Sequence, residues 1–447
     1  MRYLSTVLKR FFSFNTLFII LLICLLLLLV YKPEIKFESI YKSDMNRWMD
    51  VRYENTYRLS NSYNHEQIVD LYYEKRQNWR TSNLGSILFQ NNSRGAIKYA
   101  QERQNRTFVV LIWKYWKWLV NRHVNSFSSK RLSEPLTDCS VKNCKFTGND
   151  GELLTADAVV IHIQRGLFPN ETKRNSKQRW IFLSDESPVH SFSMAKNIPE
   201  LARLADVFNW SMTYRSDSDV PVPYGRTIPL QKPILSGITA DSLSTLVPYW
   251  DNKRTDILVT ILISNCGVSR RMDYLKRLEE YLTVDVYGKC SLNHKNSCPG
   301  HFRADCKLMS EYLFYLVFEN SQCDEYLTEK SFYHAYSKGA IPVIMGPSID
   351  VCEKLLPPDS FLHVDSYENA QKLAYDMIKI SQDETLLLKY HRWRNDFAIA
   401  NEHGYFGSKS YHLCRICEAL NFNDDKEKVY DENSLRQFLD PSLLCRD

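Results

Sequence analysis

The sequence predicts an α/β protein built from two doubly wound domains with a cleft between them. Three observations carry that prediction. Residues Leu313 to Met345 read as apolar strand, polar loop, short helix and second apolar strand, which is the repeating unit of a doubly wound sheet. Short apolar runs alternate with helical spacing from Ile257 to Asn395. A similar alternation runs from Phe108 to Phe208, ahead of prolines clustered between Pro221 and Pro233.

The chain has 447 residues, and its first segment concerns location. Residues 1–10 form a short basic tail with Arg2, Lys9 and Arg10. Phe11 to Tyr31 is uncharged and almost wholly apolar, matching the roughly 20 residues that span a bilayer. Positive charge before it leaves the N-terminus cytosolic and the remainder lumenal. The expectation is a single-pass type II membrane protein with a transmembrane signal-anchor at 11–31. A cleaved signal peptide is the weaker alternative, because no small-residue cleavage site follows Val30.

Residues 32–105 are polar, rich in Tyr, Asn, Arg and Ser, and read as a stem, with Glu66 to Arg80 helical. The first domain is expected at 106–250, with strands at Phe108–Trp113, Val159–Ile163, Trp180–Leu183 and Val207–Phe208. Pro248 to Arg254 reads as the link. The second domain is expected at 251–420, and 421–447 as a C-terminal tail. Its strands are Ile257–Ser264, Val284–Tyr287, Leu313–Phe318, Ala340–Met345 and Phe361–Val364. Helices are expected at Arg271–Tyr281, Thr328–Lys338, Ala370–Ile380 and Glu384–Asn395. Gly339 is placed to end its helix in the left-handed conformation.

Twelve cysteines suit an oxidising lumen. Cys24 lies in the apolar span, which leaves an odd number beyond it and hence a free thiol or an intermolecular bridge. Cys139 and Cys144 are near enough to pair. Cys414 and Cys417 form a C-x-x-C, read as a tight local disulfide rather than as a zinc site completed by His403 and His412. Asn91, Asn105 and Asn170 are exposed glycosylation sequons, whereas Asn209 lies in an apolar run and is expected to be buried. A net charge of +5 without a basic cluster argues against nucleic acid.

The loop after Phe318 carries Glu319, Asn320, Tyr326, Glu329 and Lys330, a set suited to a ligand with both sugar and phosphate. Trp113, Tyr115, Trp116 and Trp118 form an aromatic run that suits strand packing or sugar stacking. Asp217-Ser218-Asp219 is a D-x-D triplet, weak evidence for a metal since such triplets are common in loops.

Several blocks in order carry a resemblance. They are Glu186-Ser187-Pro188, Phe208 to Arg215, Asp217 to Asp219, Val222-Pro223-Tyr224-Gly225, Ser264-Asn265-Cys266, Val284 to Cys290, Phe318-Glu319-Asn320-Ser321, Tyr326, Thr328-Glu329-Lys330 and Gly339 to Gly346. Over about Arg106 to Leu420 the chain resembles the α1,3-fucosyltransferases of glycosyltransferase family 10. The resemblance implies a GT-B-type architecture and a Golgi enzyme that transfers fucose from GDP-fucose, with inversion, to a GlcNAc-containing glycan acceptor. It implies Glu186 as catalytic base, and Arg271 and Lys330 as cations on the diphosphate. It places Asn320, Tyr326, Glu329 and Tyr287 on the donor, Glu329 by its charge suiting ribose hydroxyls. No metal is strictly required under this reading, with manganese or another divalent cation as a stimulant. A homodimer is compatible with an anchor and stem.

Two positions depart from the family pattern. His334 stands where Asn is usual, and Ser184-Asp185 replaces an Asn and an apolar residue. These departures keep open a catalytically inactive, lumenal glycan-binding protein, and Asp185 is a rival base to Glu186. A transferase of another nucleotide sugar is a third reading. The acceptor is open between an N-glycan core GlcNAc and a LacNAc or LacdiNAc antenna.

Overall fold

Residues 63–90, expected in the stem, pack on the body instead. The computed structural model describes residues 63–90, 106–121, 135–137, 139–170, 175–294, 297–299, 304–424 and 426–446. The expected anchor, the tail before it, stem residues 32–62 and 91–105, Asn91 and Asn105 lie outside the described residues. No described helix is long and apolar enough to cross a membrane. Helices α1 (His65–Glu74) and α2 (Asn83–Phe89) bury Val69, Tyr72, Leu84 and Leu88. A capping box from Asn64 and Gln67 starts α1. His65 Nδ1 lies 2.8 Å from Asp396 Oδ1, and Arg226 donates to the Leu88 carbonyl at 3.0 Å. The apolar stripe is narrow and sits among polar letters, so composition alone reads the segment as a stem.

The first sheet contains β1 (Phe108–Trp113), β2 (Cys144–Thr147), β3 (Ala158–His162), β4 (Arg179–Ser184) and β5 (Trp210–Thr213), in the order β2-β1-β3-β4-β5. All pairs are parallel. Its central strands are buried and read as continuous Val, Ile, Leu and Phe, as parallel strands covered on both faces must. The last strand differs from expectation. Asp206 adopts φ 63° and Val207–Phe208 follow as a turn, so the strand begins at Trp210. Asn209 is buried as expected and accepts from the Trp180 backbone N–H at 2.9 Å.

Strand β6 (Gly225–Pro229) leaves the first half. The second sheet holds β7 (Val259–Leu262), β8 (Val284–Tyr287), β9 (Phe314–Phe318), β10 (Ile341–Met345) and β11 (Leu362–His363), ordered β11-β10-β9-β7-β8. This sheet is also parallel throughout. Renumbered from its own first strand, it repeats the order of the first sheet. Helix α3 (Ser269–Glu279) follows β7, and α4 (Ile349–Leu355) follows β10. Helices α5 (Ala370–Ser381) and α6 (Glu384–His391) cover one face, where Leu373, Met377 and Leu387 meet Val259, Leu316 and Val343. The expected helix after Thr328 is a π-helical turn, Lys330–Ala335, followed by a 3-10 turn, Tyr336–Lys338. Gly339 ends it at φ 70°, where a Cβ would lie 2.1 Å from the Pro248 carbonyl oxygen.

The chain then returns to the first half. Strand β12 (Phe397–Asn401) pairs antiparallel with β6. Gly225 allows this ladder to lie on the π-helical turn, since a Cβ would come within 2.4 Å of Phe332 Cγ. Helix α7 (His412–Phe422) packs beside β2, fixed by Cys139–Cys414 and Cys144–Cys417 disulfides. The expected local pairs Cys139–Cys144 and Cys414–Cys417 do not form. Cys414 and Cys417 lie three apart on one face of α7 and meet Cys139, in the bend before β2, and Cys144, the first residue of β2, so each takes a partner across the gap. Cys266–Cys290, Cys298–Cys306 and Cys323–Cys445 also pair, and Cys352 is a buried free thiol.

The expected tail is folded too. Helices α8 (Glu432–Leu439) and α9 (Pro441–Leu444) follow α7. Leu435 and Phe438 of α8 join Leu111, Val159 and Phe182 of the first sheet in one apolar cluster. A separate cluster contains Val110, Ile112 and Val160 together with Tyr315, Val317 and Ile344. The two sheets therefore share a continuous core, which fixes the spacing between their carboxyl ends.

Candidate active site

Where strand order reverses in a doubly wound sheet, the carboxyl ends of the two central strands splay and leave a crevice. In the second sheet that point lies between β7 and β9. Arg271, in the first turn of α3, spans it. Its guanidinium donates to the Phe318 carbonyl at the end of β9, at 3.1 Å, and to the Asn265 carbonyl after β7. The side chain is buried, and burial lowers its pKa against the opposing pull of Glu319 and Tyr326. Its Nε has no hydrogen-bond partner among the described residues. A buried cationic N–H without a partner suits an incoming anion.

Glu319 follows β9 directly and is 2% exposed. It accepts from the Thr328 backbone N–H at 2.8 Å and from Lys330 Nζ at 2.8 Å. Lys330 also lies 3.7 Å from Glu329. Burial by itself would depress the Lys330 pKa; Glu319 and Glu329 outweigh it and raise it. Glu319 thus folds the loop 319–328 back and aims Lys330, a structural part that its position in a polar loop does not announce. Asn320 accepts from Ser321 Oγ at 3.1 Å.

The first sheet contributes the turn after β4. Glu186 Oε2 accepts a hydrogen bond from Tyr326 Oη at 3.1 Å. Tyr326 is held protonated far above its usual range by burial and by the Glu186, Glu319 and Glu329 carboxylates. Ser184 Oγ donates to the Glu186 carbonyl at 3.3 Å, and Tyr224 Oη donates to the Asp185 carbonyl at 2.8 Å. Ser321 donates to Ser187 Oγ at 2.6 Å. Ser216 donates its N–H and hydroxyl to Glu325, at 2.7 and 3.0 Å. Three contacts, from Glu186, Ser187 and Ser216, therefore join the first-sheet turns to the second-sheet loop. Ser187, Ser216 and Glu325 escape sequence reasoning because their partners lie more than a hundred residues away.

The structure brings Glu186, Tyr326, Glu329, Lys330, Asn320 and Arg271 onto the β4 turn, the 319–330 loop and the start of α3. Tyr287 stands apart. Its hydroxyl pairs with Tyr312 at the amino end of β9, at 2.7 Å, and Tyr312 donates to Asp285. Asp185, the rival carboxylate, turns into the core and lies 2.9 Å from His412 Nε2. Asp217 pairs with Arg215 at 2.8 Å, and Asp219 accepts from Ser211 and Tyr430, so the D-x-D carboxylates are engaged within the fold. Asn170 is exposed.

The two odd letters acquire roles. Ser184 braces the Glu186 turn. His334 is buried, stacked on Tyr315 at 5.4 Å and edge-on to Phe406 at 4.4 Å. Burial lowers its pKa to about 4. In the first sheet, the corresponding reversal point between β1 and β3 carries Tyr115 stacked on His162 at 4.0 Å and on Trp118 at 4.8 Å. The Trp116 side chain lies outside the described part of the structure.

Comparison with known proteins bears on this geometry. Residues 105–225 match the family model described as fucosyltransferase, N-terminal, and residues 251–436 match glycosyltransferase family 10 (fucosyltransferase) C-term. The chain is 33% identical over 328 residues to 4-galactosyl-N-acetylglucosaminide 3-alpha-L-fucosyltransferase FUT6 of Pan troglodytes, covering 72% of this chain and 80% of the relative. It is 33% identical over 322 residues to alpha-(1,3)-fucosyltransferase 7 of Bos taurus, covering 70% and 81%. Among solved structures, an alpha1,3-fucosyltransferase with GDP-fucose matches at 14% identity and a TM-score of 0.44, over 78% of this chain and 98% of that one.

Proposed function

The chain belongs to glycosyltransferase family 10, the α1,3-fucosyltransferases, and from that premise we propose that it transfers fucose from GDP-fucose to the 3-hydroxyl of a GlcNAc residue, with inversion, in the Golgi lumen. Inversion by direct displacement needs one base for the acceptor proton and no enzyme nucleophile. Glu186 takes the proton. The Tyr326 hydroxyl holds the Glu186 carboxylate toward the acceptor. As the bond to fucose breaks, negative charge grows on the diphosphate. Arg271 and Lys330 stabilise that charge more than the ground state. Glu329 accepts from ribose hydroxyls and Asn320 offers a neutral contact to the donor. Manganese acts at most as a stimulant, because the two cations already face the diphosphate.

The observation that carries this reading is the Glu186–Tyr326 hydrogen bond, which joins the base to the loop bearing Lys330. Neither departure displaces a proposed site residue, since His334 packs in the core and Ser184 braces the Glu186 turn, and this is compatible with activity. The test is incubation of the full chain with labelled GDP-fucose, other labelled nucleotide sugars, and acceptors of the N-glycan core, LacNAc and LacdiNAc types. Fucose transfer with an α1,3 linkage is expected. Binding of GDP without transfer would favour the glycan-binding reading, and transfer only from another donor would replace GDP-fucose.

A further inference from the structure

His403 and His412 stand near the C-x-x-C in sequence, but both its cysteines are spent in disulfides. The two histidines converge on Asp185 instead. His412 Nε2 lies 2.9 Å from Asp185 Oδ1, and His403 Nε2 lies 3.3 Å from the same oxygen. One donor atom from each residue lies within 4.8 Å of the others, and all three residues are buried. Three donors on a tetrahedral zinc, each about 2.0–2.1 Å away, lie about 3.3 Å from one another. The two Asp185–imidazole separations, 2.9 and 3.3 Å, lie within about 0.4 Å of that spacing, and the two imidazoles bring a donor atom within 4.8 Å of each other.

The surroundings fit a metal ligand set. His412 Nδ1 meets Ser410 Oγ at 3.2 Å, the kind of partner that fixes the tautomer and orientation of a ligating imidazole. Tyr224 stacks on the His403 ring at 3.8 Å with an interplanar angle of 9°, and its hydroxyl anchors the Asp185 backbone. His403 and His412 flank one short loop, closed by a bridge between His403 and Ser410. Gly404 and Gly407 take positive φ there and let it turn back. Two imidazoles and one carboxylate suit zinc better than magnesium or calcium, which prefer all-oxygen sets.

We propose that Asp185, His403 and His412 form a zinc site, with water in the fourth position. The ion clamps the 403–412 loop onto the end of β4, one residue before Glu186. Its role is positional, and Arg271 and Lys330 remain the diphosphate cations.

Untagged full chain, purified without chelator, is analysed for metal by mass spectrometry, then stripped and titrated with zinc chloride alone. About one zinc per chain is expected, with a melting temperature that rises with zinc and not with magnesium. His403→Gln with His412→Gln should lower zinc content to about a tenth or less. Should that double variant fail to fold, Asp185→Asn, which removes one of the three ligands, should weaken zinc binding by at least the about 10- to 100-fold that loss of a mere outer partner costs. Wild-type zinc content equal to that of the variants, or no response to added zinc, overturns the proposal and leaves a hydrogen-bonded imidazole–carboxylate cluster. Metal content is read without any transfer assay, so its outcome is independent of whether Glu186 is the base.

Discussion

Tyr326 donates a hydrogen bond from the second-sheet loop to Glu186 on the first-sheet turn, at 3.1 Å. One contact thus couples the proposed base to the proposed donor loop. Glu186→Gln keeps the acceptor for that phenol but cannot take a proton. Its kcat should fall by about 10²- to 10⁴-fold with an unchanged melting temperature. Near-normal turnover would remove Glu186 from the role. Tyr326→Phe should lower kcat by about tenfold, the cost of one hydrogen bond of about 1.4 kcal/mol.

Lys330 neutralises a buried carboxylate as well as facing the proposed diphosphate. Lys330→Met should lose about 3 kcal/mol of stability, because Glu319 is left buried and uncompensated. Adding Glu319→Gln should recover most of the stability but not GDP affinity, read by calorimetry. Recovery of both would mean that Lys330 acts through Glu319 alone.

Non-reducing peptide mapping should recover Cys139 joined to Cys414 and Cys144 joined to Cys417. Paired Cys139→Ser and Cys414→Ser changes should cost about 2–5 kcal/mol in denaturant unfolding. Recovery of a Cys139–Cys144 peptide from active protein would contradict the arrangement.

Burial raises Glu325 from 4.5 to about 7. Between those values the unfolded chain releases a proton that the folded chain keeps. The stability contribution is full below about pH 4.5 and is lost as pH rises toward 7. Glu325→Gln should flatten that part of the stability curve, measured as the difference between variant and wild type across pH 4.5–7.

His334 behaves in the opposite sense, since burial lowers it from 6.5 to about 4. Its contribution is present above pH 6.5 and is lost as pH falls toward 4, at up to about 1.4 kcal/mol per pH unit. His334→Asn should lessen acid destabilisation over that window. An unchanged acid limb would show that His334 is not held neutral.

Most strands were legible because a buried parallel strand is written as an unbroken apolar run, as in Phe108–Trp113 and Phe314–Phe318. Strand β5 was not, since Trp-Ser-Met-Thr mixes polar letters whose partners lie elsewhere, such as Asp219 on Ser211. The loop carrying Asn320, Tyr326 and Lys330 was legible as a motif. Its partners on the first sheet were not, because Ser187–Ser321 and Ser216–Glu325 are meetings in space with no local pattern. The same holds for the disulfides: spacing favoured neighbours, and only the packing of α7 against β2 reveals the crossed pairs.

That crossing also governs synthesis. Cys139 and Cys144 emerge first, and their partners follow 275 and 273 residues later. At about 5–20 residues per second the wait is tens of seconds. Throughout it two reduced thiols lie side by side with each other as the nearest available partner. The first half of the protein is therefore sealed only by a segment made much later, and a nascent chain must avoid, or later undo, the shortcut its own sequence offers.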